Sequence, residues 1–168
     1  VADLASRHGG GIFNWSIEEQ ERRKLWQARH DIAHACKALR PGCEFWSTDV
    51  CVPISRLAEC ILATRKDIDE SGLTAPIVGH VGDGNFHVVM VLDPKNKDEI
   101  KQCAAFNERL LKRALEMDGT ITGEHGIGYG KRKYLRLEHG GAVDVMRALK
   151  QTLDPVNIMN PGKVLPDD

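Results

Sequence analysis

Hydrophobic positions along the chain repeat with two different periods. Leu25, Ile32, Cys36 and Leu39 recur at helical spacing between a Ser16-x-x-Glu19 capping box and the "RPG" at 40–42, which predicts one long helix. Residues 44–52, "EFWSTDVCV", are aromatic and β-branched and stop at Pro53, the pattern of a strand. Leu57, Ile61 and Ile68 mark a second amphipathic helix that Gly72 closes. "APIVGHV" and "FHVVMVLD" read as two strands, with Asp83-Gly84 between them as a hairpin turn and Pro94 as a stop. Ile100, Cys103, Phe106, Leu110, Ala114 and Met117 give a third helix, stopped by Gly119, and "TITGEH" follows as a short strand.

From residue 44 the order is therefore β-α-β-β-α-β. This predicts an α+β fold of the ferredoxin-like, split β-α-β kind: an antiparallel sheet with helices on one face. The expected divisions are an N-terminal linker and helix at 1–43, the ferredoxin-like core at 44–130, and C-terminal helices with an "NPGK" tail at 131–168. In that tail Pro155 and Pro161 forbid regular structure. The opening "VADLASRHGGG" reads as the end of a helix that passes His8 and enters a flexible linker, which predicts a piece of a longer chain.

Composition narrows the chemistry. With 168 residues the chain is long enough to bury a core. A net charge of -1 and a pI near 6.7 offer no electrostatic footprint for nucleic acid or an anionic membrane. No run approaches the ~18 apolar residues of a transmembrane segment. Cys36, Cys43, Cys51, Cys60 and Cys103 are odd in number and lack C-x-x-C spacing, so neither a disulfide framework nor a thiolate zinc site is signalled. A reducing compartment fits them best.

The candidate chemistry centres on residues 79–87, "GHVGDGNFH". A two-residue turn at Asp83-Gly84 would set His80 directly opposite His87, with Cβ atoms about 4.5–5.5 Å apart on one face. Two imidazoles could then converge on one ion, and "GEHG" supplies Glu124 as a third ligand at the end of the last predicted strand. Two imidazoles and a carboxylate with open positions suit Zn, Mn or Fe. The plain alternative is that one histidine satisfies a strand end and the other is solvated. His125 is open between an acid–base role and a turn histidine. Arg29 falls on the apolar stripe of the first helix, where it either meets an anion or snorkels to the helix edge. Trp26 reads as core. Glycines 123, 126, 128 and 130 are reminiscent of a phosphate loop, but no βαβ unit follows them.

The segments "LWQARH", "TDVCVPISRL", "GHVGDGNFH", "GEHGIGYGK" and "DPVNIMNPGK", in this order, resemble the C-terminal substrate domain of the FAD-linked oxidases related to vanillyl-alcohol oxidase. Within that family the similarity is greatest to the branch that oxidises D-lactate in mitochondria. It covers nearly the whole chain, and the family's FAD-binding domain lies N-terminal to this region. The resemblance implies FAD, bound mainly by that other domain, and one divalent metal, Zn or Mn, beside the flavin. It implies a D-2-hydroxy acid that gives hydride to flavin N5, an electron acceptor such as cytochrome c, and no activity in this stretch alone. It further implies that His80, His87 and Glu124 are the metal ligands, that Arg29 pairs with the substrate carboxylate, and that His125 takes the hydroxyl proton. Asn85 and Asn160 would line the flavin edge.

Relatives that oxidise the dicarboxylate D-2-hydroxyglutarate carry a Thr one helical turn after the arginine, a Lys two residues before the Asp of the "DV" strand, and an Asn two residues after the second histidine. This chain has Ala33, Ser47 and Val89 there. The resemblance thus implies a small monocarboxylate, with Val89 as an apolar wall, over a D-2-hydroxyglutarate-type dehydrogenase. Two readings from other classes stay open on the residues: a regulatory ferredoxin-like ligand-binding module and a metal-dependent hydrolase.

Overall fold

A computed structural model describes residues 1–167. In chain order the elements are α1 (Ala2–Arg7), α2 (Glu19–His30), α3 (Ile32–Ala38), β1 (Glu44–Ser47), β2 (Val50–Cys51), α4 (Ile54–Ser71), β3 (Ile77–His80), β4 (Asn85–Leu92), α5 (Lys97–Glu116), α6 (Leu135–His139) and α7 (Ala142–Leu153). Strand β4 is the centre of the sheet. Along one side β1 and β2 pair with it in a shared register, Glu44 opposite Leu92 and Val50 opposite Phe86; along the other, β3 sets Ile77 opposite Val88. All pairs are antiparallel.

Every residue of β4 is buried, and strand alternation sends its side chains two ways. Phe86, Val88, Met90 and Leu92 enter the apolar core beneath α4 and α5, where they meet Leu57, Cys60, Ile68, Cys103, Phe106 and Leu110. Burying a side chain such as Phe86 or Phe106, both fully enclosed, contributes about 1.5–3 kcal/mol each. The opposite face carries Asn85, His87, Val89 and Val91. Local signals fix the helices that frame the core: the Asn96 side chain accepts from the Asp98 and Glu99 amides at the start of α5, and Gly72 ends α4 at φ 65°.

The α+β architecture, with an antiparallel sheet and helices on one face, is the one expected. Several local expectations need correction. The strand predicted over 44–52 is interrupted at Thr48-Asp49. There the Thr48 hydroxyl, not its carbonyl, accepts the Val88 amide at 2.8 Å, while the Thr48 carbonyl accepts from His87 Nδ1 at 3.0 Å. The strand predicted over 120–125 reduces to a single bridge, Thr120 to Cys51, and the chain beyond it is irregular. The N-terminal helix breaks at Asp31 into α2 and α3. Ser16 caps only the Glu18 amide, and Trp26 is 57% exposed, not core. All five cysteines are free thiols, and among the described residues no helix is long and apolar enough to cross a membrane.

Candidate metal and substrate site

The hairpin between β3 and β4 is not a two-residue turn. Val81–Asp83 form a short 3-10 turn closed by Gly84 at φ 76°, and the register sets His80 opposite Asn85 and His87 opposite Val78. The expected direct pairing of His80 with His87 is therefore wrong by two residues. Because side chains alternate with period two, a slip of two leaves both imidazoles on one face, now as diagonal neighbours. Their ring centroids are 5.9 Å apart and their planes nearly perpendicular.

Glu124 comes to meet them. His87 Nε2 lies 2.9 Å, and His80 Nε2 3.2 Å, from the same oxygen, Glu124 Oε1. The ring of His87, 7% exposed, is oriented by the Thr48 carbonyl, which accepts from Nδ1 and leaves Nε2 turned toward Glu124. Arg29 reaches from α2 to within 3.0 and 3.2 Å of the two ring nitrogens of His80, and its guanidinium also lies 5.6 Å from the Trp26 ring centroid. His125 stacks on His87, centroids 4.8 Å apart and planes within 5°, with Nε2 3.8 Å from Glu124 Oε1. The predicted set His80, His87, Glu124, His125 and Arg29 is thus brought together.

Sequence reasoning missed the residue beneath this set. Asp49, 1% exposed, occupies the break between β1 and β2. Its Oδ2 accepts from Thr122 Oγ1 at 2.8 Å, from the amides of Gly123 (2.9 Å), His125 (3.0 Å) and Glu124 (3.2 Å), and from Lys131 Nζ at 3.2 Å. Its Oδ1 accepts from Asn85 Nδ2 at 2.9 Å and lies 3.7 Å from His87 Nδ1. Burial alone would push the Asp49 carboxyl up, but the bonds from His125, Thr122 and Asn85 and the Lys131 charge outweigh it and hold the group well below the usual carboxylate range. Burial pushes the Lys131 ammonium down, with Asp49 pulling it back up. Asp49, His87 and His125 also lie close enough to share an ion, but both Asp49 oxygens are already committed to N–H and O–H donors. A signal for Asp49 did exist in the sequence: an acidic residue amid a β-branched run is depleted in strands and needs a reason to be there.

A cavity of about 360 Å³ opens over the site, lined by Arg29, His80, His87, Glu124 and His125 on its polar side. Ile32, Ala33, Phe45, Val78 and Val89 line it elsewhere, with Ser47. Ala33, Ser47 and Val89 therefore face the space in which the resemblance set them. Asn85 is buried directly under the site, and its Oδ1 has no hydrogen-bond partner among the described residues. Asn160 is elsewhere, lining a separate groove with Lys150, Asp154 and Lys163. That groove does not include the histidines.

The sheet defines the class of protein: an α+β domain in which one face builds the core and the other carries His87 and Val89 into a cavity of mixed polar and apolar lining. Residues 1–164 match the family described as FAD linked oxidases, C-terminal domain, and the chain belongs to that family. A probable D-lactate dehydrogenase, mitochondrial, of Danio rerio is 56% identical over 164 residues, covering 97% of this chain and 33% of that protein. A mitochondrial D-lactate dehydrogenase (cytochrome) of Arabidopsis thaliana is 44% identical over 167 residues, covering 99% of this chain and 30% of that protein. The chain spans about a third of the length of these curated relatives. Among solved structures, 4-ethylphenol oxidase from Gulosibacter chungangensis, in complex with isoeugenol, matches 90% of this chain and 32% of its own at a TM-score of 0.57 and 19% identity, a likeness of fold.

Proposed function

We propose that this domain is the substrate and metal side of an FAD-dependent D-2-hydroxy acid dehydrogenase that oxidises D-lactate to pyruvate in mitochondria. The observation that carries the reading is the convergence of His80 Nε2 and His87 Nε2 on Glu124 Oε1 at 3.2 and 2.9 Å. In a tetrahedral site with bonds of about 2.0–2.1 Å, ligand atoms lie about 3.3 Å apart. The three residues thus fit a divalent ion such as Zn or Mn with positions left for substrate oxygens. The buried Asn85 Oδ1 suits an N–H donor, and a flavin ring presents one.

A divalent ion held by His80, His87 and Glu124 would lower the pKa of a substrate hydroxyl, and a bound flavin would supply the hydride acceptor. Arg29 offers its guanidinium to the substrate carboxylate, bidentately, from the rim of the cavity. In the arrangement described it sits against the His80 ring nitrogens, a contact that a substrate carboxylate on Arg29 and an ion on His80 would replace. His125 is the general base, held parallel to His87 with an imidazole nitrogen near the ligand cluster. The apolar lining excludes water around the C3 end. The FAD-binding domain would come from the rest of the protein, and the electron acceptor would be one such as cytochrome c, in keeping with the relatives' names. Asn160, at the edge of its own groove, would meet the flavin only if that domain closes over the tail.

Metal analysis of the full-length protein and its His87→Ala variant tests the proposal. One divalent ion per chain in the parent and its loss from the variant is the expected result. Equal metal content in the two would refute it.

A further inference from the structure

The 122–125 loop carries both Glu124 and His125, yet among the described residues it has no strand partner after the Thr120 bridge. Something else must hold it. We infer that Asp49 is the positioning residue of the site: its carboxylate is the anion around which the loop is wound, and it sets Glu124, His125 and Asn85 without touching substrate.

Three consecutive amides, Gly123, Glu124 and His125, turn toward one buried carboxylate, the geometry of an anion-binding backbone nest. Each contact is a charge-assisted hydrogen bond. The same carboxylate takes one hydrogen of the Asn85 amide while the Val50 carbonyl takes the other at 2.9 Å, so the side-chain oxygen of Asn85 is the atom left unpaired. A neutral amide cannot replace Asp49. Both carboxylate oxygens face donors, so the NH₂ of an asparagine would meet N–H groups whichever way it turned. Substitution by Asn therefore tests charge at nearly constant volume. Space is also tight on the loop side, since a Cβ on Gly123 would lie 1.9 Å from Asn85 Nδ2.

One readout of this inference rests on the proposed metal site, so the experiment carries a second that does not. In the full-length holoenzyme, Asp49→Asn is compared with Asp67→Asn, which removes another buried, hydrogen-bonded carboxylate on the far side of the sheet, bound by Arg109, Arg113 and Ser71. Amide hydrogen exchange over 122–125 and metal affinity by chelator competition are measured alongside thermal stability. Asp49→Asn should speed exchange at Gly123, Glu124 and His125 and weaken metal affinity about 10–100-fold; Asp67→Asn should lower Tm and leave both unchanged. Unchanged exchange in Asp49→Asn, or equal losses of affinity in the two variants at matched Tm, overturns the inference. A parent protein that binds no metal overturns the metal site instead, and the exchange data then decide the role of Asp49. Should Asp49→Asn fail to fold, Thr122→Val removes a single donor and should speed exchange at the same three amides, and unchanged exchange there overturns the inference.

Discussion

Replacing Ser47 and Val89 tests the proposed preference for a small monocarboxylate. A D-2-hydroxyglutarate molecule held by Arg29 would push its second carboxylate toward Ile32, Ala33, Phe45, Val78 and Val89, and Arg29 is the one Lys or Arg among the described residues lining that cavity. Two other basic residues, Arg132 and His30, are turned elsewhere: Arg132 bonds the Gly162 carbonyl at 3.1 Å and pairs with Asp167, and His30 sits edge-on to Trp26. A desolvated, unpaired carboxylate costs several kcal/mol. At 1.4 kcal/mol per tenfold, a cost of about 3–4 kcal/mol disfavours the dicarboxylate by roughly 10²- to 10³-fold in kcat/KM. An added methylene against the same wall gains about 0.8 kcal/mol, so D-2-hydroxybutyrate should match D-lactate within about fourfold. Ser47 and Val89 are direct partners across β1 and β4. Ser47→Lys with Val89→Asn therefore brings an ammonium and an amide in side by side, and should raise the dicarboxylate-to-lactate ratio by at least about tenfold. Steady-state kinetics of the full-length enzyme on the three acids decide it. A parent enzyme that prefers D-2-hydroxyglutarate, or a double variant with an unchanged ratio, would refute the reasoning.

Further outcomes follow from the same geometry. His125→Ala in the full-length enzyme should slow flavin reduction by about 10²- to 10⁴-fold while substrate affinity changes little, as followed by stopped-flow absorbance; an unchanged rate would leave His125 a structural residue. Gly123→Ala should destabilise by about 2–4 kcal/mol in denaturant unfolding, because the new methyl would lie 1.9 Å from Asn85 Nδ2 and 3.0 Å from Asp49 Oδ1. A midpoint equal to the parent's would mean that the loop has room. Burial raises the Asp67 carboxyl, but hydrogen bonds from Arg109 and Arg113 more than offset this and hold it below its ordinary value. Its stabilisation is thus complete above about pH 4 and lost as pH falls toward the folded-state value, so Asp67→Asn should flatten the acid limb of stability against pH.

The parts of the fold set by apolar period were legible from the chain. The stripes of α4 and α5 and the alternation in β4 name their buried faces without help from distant residues. What escaped depends on polar groups far apart in sequence. The break at Thr48 exists because a hydroxyl stands in for a ladder carbonyl, and the fourth strand dissolves because Asp49, some seventy residues earlier, takes its amides. Helical spacing in α2 and α3 ran unbroken through Asp31, yet most of that segment packs on little among the described residues, so periodicity there carried no information about burial. For the site, residue types and the hairpin brought His80, His87 and Glu124 to notice; their geometry is set by Thr48, which no local pattern announces, and by Asp49, whose place in a β-branched run is unusual but does not name its partners.

The 3-10 turn between β3 and β4 has a bearing on how this hairpin can be altered. A change there that slips the β3–β4 register by two residues keeps both imidazoles turned toward Glu124, whereas a slip of one turns one of them toward the apolar core under α4 and α5. A tag or graft at 81–84 is thus best built as added loop that leaves Ile77–His80 in register on Asn85–Leu92.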